Sequence, residues 1–149
     1  MARSGMASSM ACSLPMPDLP EVEALHHVTL SVTDVQASAQ WYQRLLGESI
    51  IATREAPTWS RIRLQWPNGI IIVFTKHHAT DAGDRFDHNR VGLDHIGLSC
   101  PSEAAVRAWA ARLDELQFIH GPVEDVDYGW AVTARDPDGI AVEFFCRKA

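Results

Sequence analysis

The chain of 149 residues has no apolar run approaching the roughly 20 residues that a helical membrane span needs. It is also short of positive charge: 13 Lys and Arg against 19 Asp and Glu give a formal net charge of −6, with a pI near 5.6. That balance excludes the basic footprint of a nucleic-acid binder. Cysteine is scarce. Cys12, Cys100 and Cys146 show no metal-type spacing and cannot all pair, which points to a reduced, cytoplasmic setting. Residues 1–20, rich in Ala, Ser, Met and Pro, lack the apolar stretch of a signal peptide and read as a disordered leader. The remaining stretch, 21–149, has the length of one compact domain.

Within that domain the sequence repeats itself. Leu25-His26-His27-Val28-Thr29-Leu30-Ser31 is echoed 68 residues later by Leu93-Asp94-His95-Ile96-Gly97-Leu98-Ser99. Trp41 lies 14 residues after His27, and Trp109 lies 14 after His95. Leu45 and Leu113 fall in step, and Pro67-Asn68-Gly69 answers Pro137-Asp138-Gly139 with two extra residues in the second copy. A repeat of this length means one structural unit built twice.

Each copy reads as strand, helix and three strands. In the first, 25–32 is a strand by alternation, Thr33 or Asp34 caps a helix that stops at Gly47, and 48–54, 59–65 and 69–76 are strands. Pro57 and the Pro67-Asn68-Gly69 turn separate them. In the second, 93–100 is a strand and Ser102 caps a helix through 116. Strands near 117–120, 129–135 and 139–146 complete it. The modules thus span 25–76 and 93–146, with a polar linker over 77–92. Strand alternation sets Val28, Leu30 and Val32 opposite His27, Thr29 and Ser31. It likewise sets Ile96 and Leu98 opposite His95, and Val142 and Phe144 opposite Glu143. The apolar faces are the partners for the two amphipathic helices, which leaves the sheets to meet on their other faces. His26 then points away from His27.

His27, His95 and Glu143 are a chemically sensible set for a divalent metal. Two neutral imidazoles and a carboxylate leave coordination incomplete, with open positions for water, substrate or dioxygen. Taken singly, each is an ordinary strand residue. Jointly, both His occupy one repeat position, and Glu143 interrupts an apolar strand where an unpaired buried carboxylate is costly.

His27-Val28-Thr29-Leu30-Ser31-Val32-Thr33-Asp34, Trp41-Tyr42 with Leu45-Leu46-Gly47, and Asp136-Pro137-Asp138-Gly139 ahead of Glu143 resemble the vicinal oxygen chelate superfamily. It is also called the glyoxalase/bleomycin-resistance/dioxygenase superfamily. The resemblance covers residues 25 to 146. It implies an α+β fold of two βαβββ modules forming a cupped, incompletely closed eight-stranded barrel. It carries metal ligation onto His27, His95 and Glu143, with Fe2+ favoured and Mn2+, Zn2+ or Ni2+ as alternatives. It also implies a substrate that chelates through neighbouring oxygens, and a homodimer. Glyoxalase I has a fourth ligand, usually Glu, in the last strand of its first module; the matching position here is Val73, which neither binds metal nor moves protons. The remaining His, His, Glu set has the types and order found in extradiol dioxygenases and in fosfomycin-resistance thiol transferases. An extradiol-type dioxygenase is the first expectation. A glyoxalase-like isomerase or lyase, and a metal-free drug-binding protein of the bleomycin-resistance type, are the alternatives.

Other side chains complete the set of candidates. His77, His78 or His120 is a candidate acid/base group, and Tyr128 beside Gly129 a candidate pocket-mouth hydroxyl. Arg61 and Arg63 share one strand face and are candidates to hold an anionic substrate group. Trp59 and Phe145 are candidates to contact an aromatic substrate.

Overall fold

Each half of the chain folds as a strand, a helix and three strands, in the order the repeat predicts. The computed structural model describes residues 20–81 and 83–148, so the expected leader, Pro20 apart, lies outside the described residues. Module one comprises β1 (Val28–Ser31), α1 (Val35–Leu46), β2 (Ile50–Ala56), β3 (Trp59–Gln65) and β4 (Ile71–His77). Module two comprises β5 (His95–Ser99), α2 (Glu103–Leu116), β6 (Glu124–Val126), β7 (Gly129–Arg135) and β8 (Ala141–Arg147). The strands form two sheets, ordered β1-β4-β3-β2 and β5-β8-β7-β6, with no hydrogen-bonded strand pair between them among the described residues. The fold is α+β, with two βαβββ modules in tandem and sheets that do not close.

Local chemistry sets the element ends. The Asp34 carboxylate caps α1 by accepting from the Gln36 and Ala37 amides at 2.8 and 3.0 Å. Gly47, at φ 90°, turns the chain out of the helix. Ser102 caps α2 through the Ala105 amide at 3.2 Å. The strand expected near 117–120 is absent. Gln117 closes α2 in the left-handed region at φ 56°, and the Phe118 amide bonds back to Leu113 O. Only an isolated bridge, His120 to Ala134, remains of it, and the short β6 pairs with β7 further along the chain. A helix cap that uses these amides removes them from any ladder.

Parallel pairing of β1 with β4 sets Thr29 beside Val73, and that of β5 with β8 sets Gly97 beside Glu143. Val73 therefore holds the place in module one that Glu143 holds in module two. The modules join through their apolar sides. Leu30, Leu64, Ile72 and Phe74 of module one share a cluster with Ile96, Ile140 and Val142 of module two. Trp41 of α1 stacks on Phe118 with ring centroids 4.8 Å apart, and Leu45 packs into the second module's cluster. The polar sheet faces, expected to meet each other, do not form this junction: the helix-covered sides do.

A turn of module two pins the junction. Asp136 Oδ1 accepts from the Asp138 and Ile140 amides at 2.9 and 2.8 Å, and Oδ2 accepts from the Tyr42 hydroxyl of α1 at 3.4 Å. Asp138 accepts from the Thr33 amide at 3.0 Å and from its hydroxyl. Both carboxylates are buried. Burial raises the Asp136 pKa to about 6, against the lowering pull of the two amides and with the charge of Asp138 adding to the rise.

The folded state holds the Asp136 proton more tightly than the unfolded chain, whose aspartate titrates near 3.8. The stability this proton gives is present below about pH 4 and is lost as pH rises through about 6. The loss is on the order of 3 kcal/mol. Asp136→Asn keeps an acceptor for both amides and removes the charge. Its melting temperature should gain on that of the wild type by roughly 5 °C between pH 4.5 and 7.5; parallel melting profiles for the two proteins would contradict this account.

Candidate metal centre

β5 opens at His95, and Glu143 sits in the middle of the neighbouring β8. Val142 and Phe144 are committed to the core, so alternation turns Glu143 to the opposite, partly exposed face. There His95 Nε2 lies 3.8 Å from Glu143 Oε2. On the other side of the ring, His95 Nδ1 lies 2.6 Å from Asp94 Oδ1. That hydrogen bond is the first cause holding the Asp94 pKa below its usual value. In a neutral ring whose Nδ1 proton is directed at Asp94, the lone pair is on Nε2, the nitrogen that faces the Glu143 carboxylate. A carboxylate orienting an imidazole from behind is the usual support of a metal-ligating histidine. Ligand spacing alone does not flag Asp94; its signal in the sequence is an acid directly preceding a candidate ligand.

His27 stands just ahead of β1. Its Nδ1 lies 2.9 Å from Nδ1 of His26, with the rings edge-on at 5.1 Å. His26 therefore lies against His27 rather than opposite it, because β1 begins only at Val28 and alternation does not govern the two histidines. His27 and His95 both open onto a cleft of about 560 Å³ whose walls include Val28, Ile72, Ile96 and Leu98. Among the described residues, no three His, Cys, Asp or Glu side chains converge closely enough to hold a metal. His95 and Glu143 are brought together; His27 shares a cleft with His95, and Glu143 is not among the residues that line it.

The remaining candidates fall in three places. Trp59, Arg61 and Arg63 lie on β3. The Arg61 guanidinium sits 4.4 Å over the Trp59 ring, and its Nε donates to Thr75 Oγ1 at 2.9 Å. Arg63 donates to Gln65 Oε1. With His27 and with Arg54, a residue that no spacing within β3 points to, these arginines line a second cavity of about 220 Å³. Phe145 follows Glu143 on the same sheet face, with the Tyr128 ring centroid 6.0 Å from its own. Gly129 makes this packing possible, since a Cβ there would stand 2.5 Å from the Phe145 ring. Of the histidines in the third group, two are tied elsewhere. His78 bonds Pro57 O and Ser60 Oγ at 3.0 and 3.2 Å. His120 bonds Gly121 O at 2.7 Å and Asp114 Oδ1 at 3.1 Å. His77 is exposed at the end of β4.

A family model described as the Glyoxalase/Bleomycin resistance protein/Dioxygenase superfamily matches residues 24–144. Among solved structures, a glyoxylase/bleomycin resistance protein/dioxygenase domain from Frankia sp. EAN1pec is 29% identical, with a TM-score of 0.78, covering 86% of this chain and 100% of that one. Two others share the fold at lower identity. One is a fosfomycin resistance protein from Listeria monocytogenes complexed with Mn(II) and sulfate, at 19% identity and TM-score 0.62, covering 85% and 93% of the two chains. The second is a lactoylglutathione lyase from Agrobacterium tumefaciens, at 18% and 0.64, covering 85% and 96%. No curated protein matches the sequence.

If Asp94 fixes the His95 tautomer, nitrogen NMR of the metal-free protein should show His95 protonated at Nδ1, and Asp94→Ala should remove that preference. Affinity for Zn2+ or Mn2+ should fall on the order of 10- to 100-fold in the same variant. An unchanged tautomer and affinity would remove Asp94 from the centre.

Proposed function

The chain belongs to the Glyoxalase/Bleomycin resistance protein/Dioxygenase superfamily, and we propose that it works there as a metal-dependent enzyme on a small substrate that presents two neighbouring oxygens. The observation that carries this reading is the Asp94–His95–Glu143 arrangement, in which a carboxylate behind the imidazole leaves Nε2 free beside a second carboxylate. His27, His95 and Glu143 would hold the ion. Neutral imidazoles with one carboxylate suit Fe2+ best, with Mn2+, Zn2+ or Ni2+ as alternatives. The Mn(II) complex of the Listeria protein is a precedent for a divalent ion on this fold. When bound, the ion supplies Lewis-acid polarisation of the substrate oxygens and, as iron, dioxygen chemistry.

The protein's own residues do the rest. Asp94 holds the His95 ring in place. Val28, Ile72, Ile96 and Leu98 give the cleft beside His27 and His95 apolar walls, which would displace water from a group bound there. Phe145, beside Glu143, offers a face for an aromatic ring. His77 and Tyr128 are the candidate acid/base groups left with free access, both exposed. The finer reading is an extradiol-type dioxygenase. Val73 counts against a glyoxalase I isomerase, because the position that would carry its carboxylate is a buried aliphatic side chain. A metal-free small-molecule binding protein is the second reading, favoured by the want of a three-group cluster among the described residues. A homodimer is the proposed assembly, with a second copy covering β2, an edge strand whose Ile50 and Ile51 are 70% and 53% exposed.

Protein purified anaerobically should carry about one divalent ion per chain, and His27→Ala or Glu143→Ala should abolish its binding. Loaded with ferrous iron, it should consume oxygen with catechols and form a yellow ring-cleaved product, and it should not isomerise the methylglyoxal–glutathione hemithioacetal. Absence of bound metal would favour the binding protein; metal without oxygen uptake would favour an isomerase or lyase on the same three ligands.

A further inference from the structure

The cavity beside His27 is cationic to a degree that folding does not require. Arg54, Arg61 and Arg63 all open into it. Arg54 and Arg61 are direct cross-strand partners in the β2–β3 ladder, and Arg63 follows Arg61 on the same face. Like charges set opposite each other destabilise a sheet, so an acid would be expected among them. None lines the cavity among the described residues. The basic side chains that do pair with acids include Arg90, Arg107, Arg112 and Lys148, all of them outside it. Glu55, next to Arg54, falls on the other sheet face by alternation.

Two of the three guanidinium groups are nevertheless held in place, and by neutral partners: Arg61 by the buried Thr75 hydroxyl and the Trp59 ring, Arg63 by the Gln65 amide oxygen. Neutral partners orient the forks without cancelling their charge. The rest of the lining is Val73, Ala52, Thr29 and His27. Guanidiniums gathered without an acid among them, two of the three held by neutral partners, suit a planar oxyanion, which such forks bind bidentately.

We propose that Arg54, Arg61 and Arg63 form a subsite for the carboxylate of the substrate. The substrate is then a small organic acid whose two neighbouring oxygens lie apart from its carboxylate, toward His27. The subsite stands on the arginine geometry alone; only the placement of the neighbouring oxygens rests on the proposed metal reading.

Isothermal titration with catechol and with 3,4-dihydroxybenzoate separates the two, since these probes share vicinal oxygens and differ by one carboxylate. The metal-free protein should bind the carboxylated probe about tenfold or more tightly than catechol, with the preference shrinking as salt rises. Arg54→Gln, at an exposed residue with little bearing on folding, should cut the preference several-fold. Arg61→Gln combined with Arg63→Gln should abolish it. Equal affinities in the wild type, or a preference that survives either change, overturns the subsite. Repeating the titrations after loading with Mn(II) tests the metal reading separately: a gain for both probes supports it, and no gain removes it while the carboxylate preference stands.

Discussion

The buried turn Asp136-Pro137-Asp138-Gly139 is the constraint on which the rest of the structure depends. Two carboxylates almost out of water need partners, and module two cannot supply them all. Asp136 takes two amides of its own turn and then reaches the Tyr42 hydroxyl of α1. Asp138 takes the amide and hydroxyl of Thr33, at the junction of β1 and α1. An unsatisfied buried carboxylate is expensive, so the start of module one's helix has one place to sit against module two. The repeat sharpens the point, because Trp66 and Asn68 stand where Asp136 and Asp138 stand in the second copy. There the turn geometry is kept and the clamp is not: Trp66 Nε1 donates to Gly47 O within its own module.

With the apolar sides fused in this way, the polar sheet faces are left for chemistry, and the two copies have diverged on them in opposite senses. Module two carries His95 between the carboxylates of Asp94 and Glu143, the candidate centre. Module one carries three arginines, and Val73 takes the position that Glu143 holds opposite. A carboxylate at 73 would have neutralised the arginines beside it. The aliphatic side chain leaves the cavity's charge positive, so the lost ligand of one reading is a requirement of the other.

The architecture was legible because it is periodic. Alternation and helical spacing, doubled by the repeat, reveal both modules and the equivalence of Val73 with Glu143; cap chemistry gives Ser102 and narrows the first cap to Thr33 or Asp34, and the structure selects Asp34. What periodicity could not reach were features made through space or by backbone conformation. The left-handed Gln117 ended a helix and consumed the amides of an expected strand. His26 met His27 because the strand begins later than alternation assumed. Arg54 joined Arg61 and Arg63 only through the β2–β3 register, which no spacing within one strand encodes. Asp94 was visible as a residue, but its role depends on the direction of a ring nitrogen, which only the folded chain sets.

His27 links the two cavities, since it lines both the cleft shared with His95 and the arginine-rich space beside Val73. This has a thermodynamic consequence under the proposed reading. A ligand that spans from the arginines to a metal at His27 must order the same imidazole that the metal orders. Whichever binds first removes part of the freedom that the second would otherwise have to restrict. Linkage then requires that any factor by which the metal tightens the organic acid be returned as the same factor on the metal. The pre-formed pair, His95 and Glu143, contributes little to that coupling, because their approach exists before either ligand arrives. The coupling therefore resides in module one, in the residue that the fold leaves free of the pair.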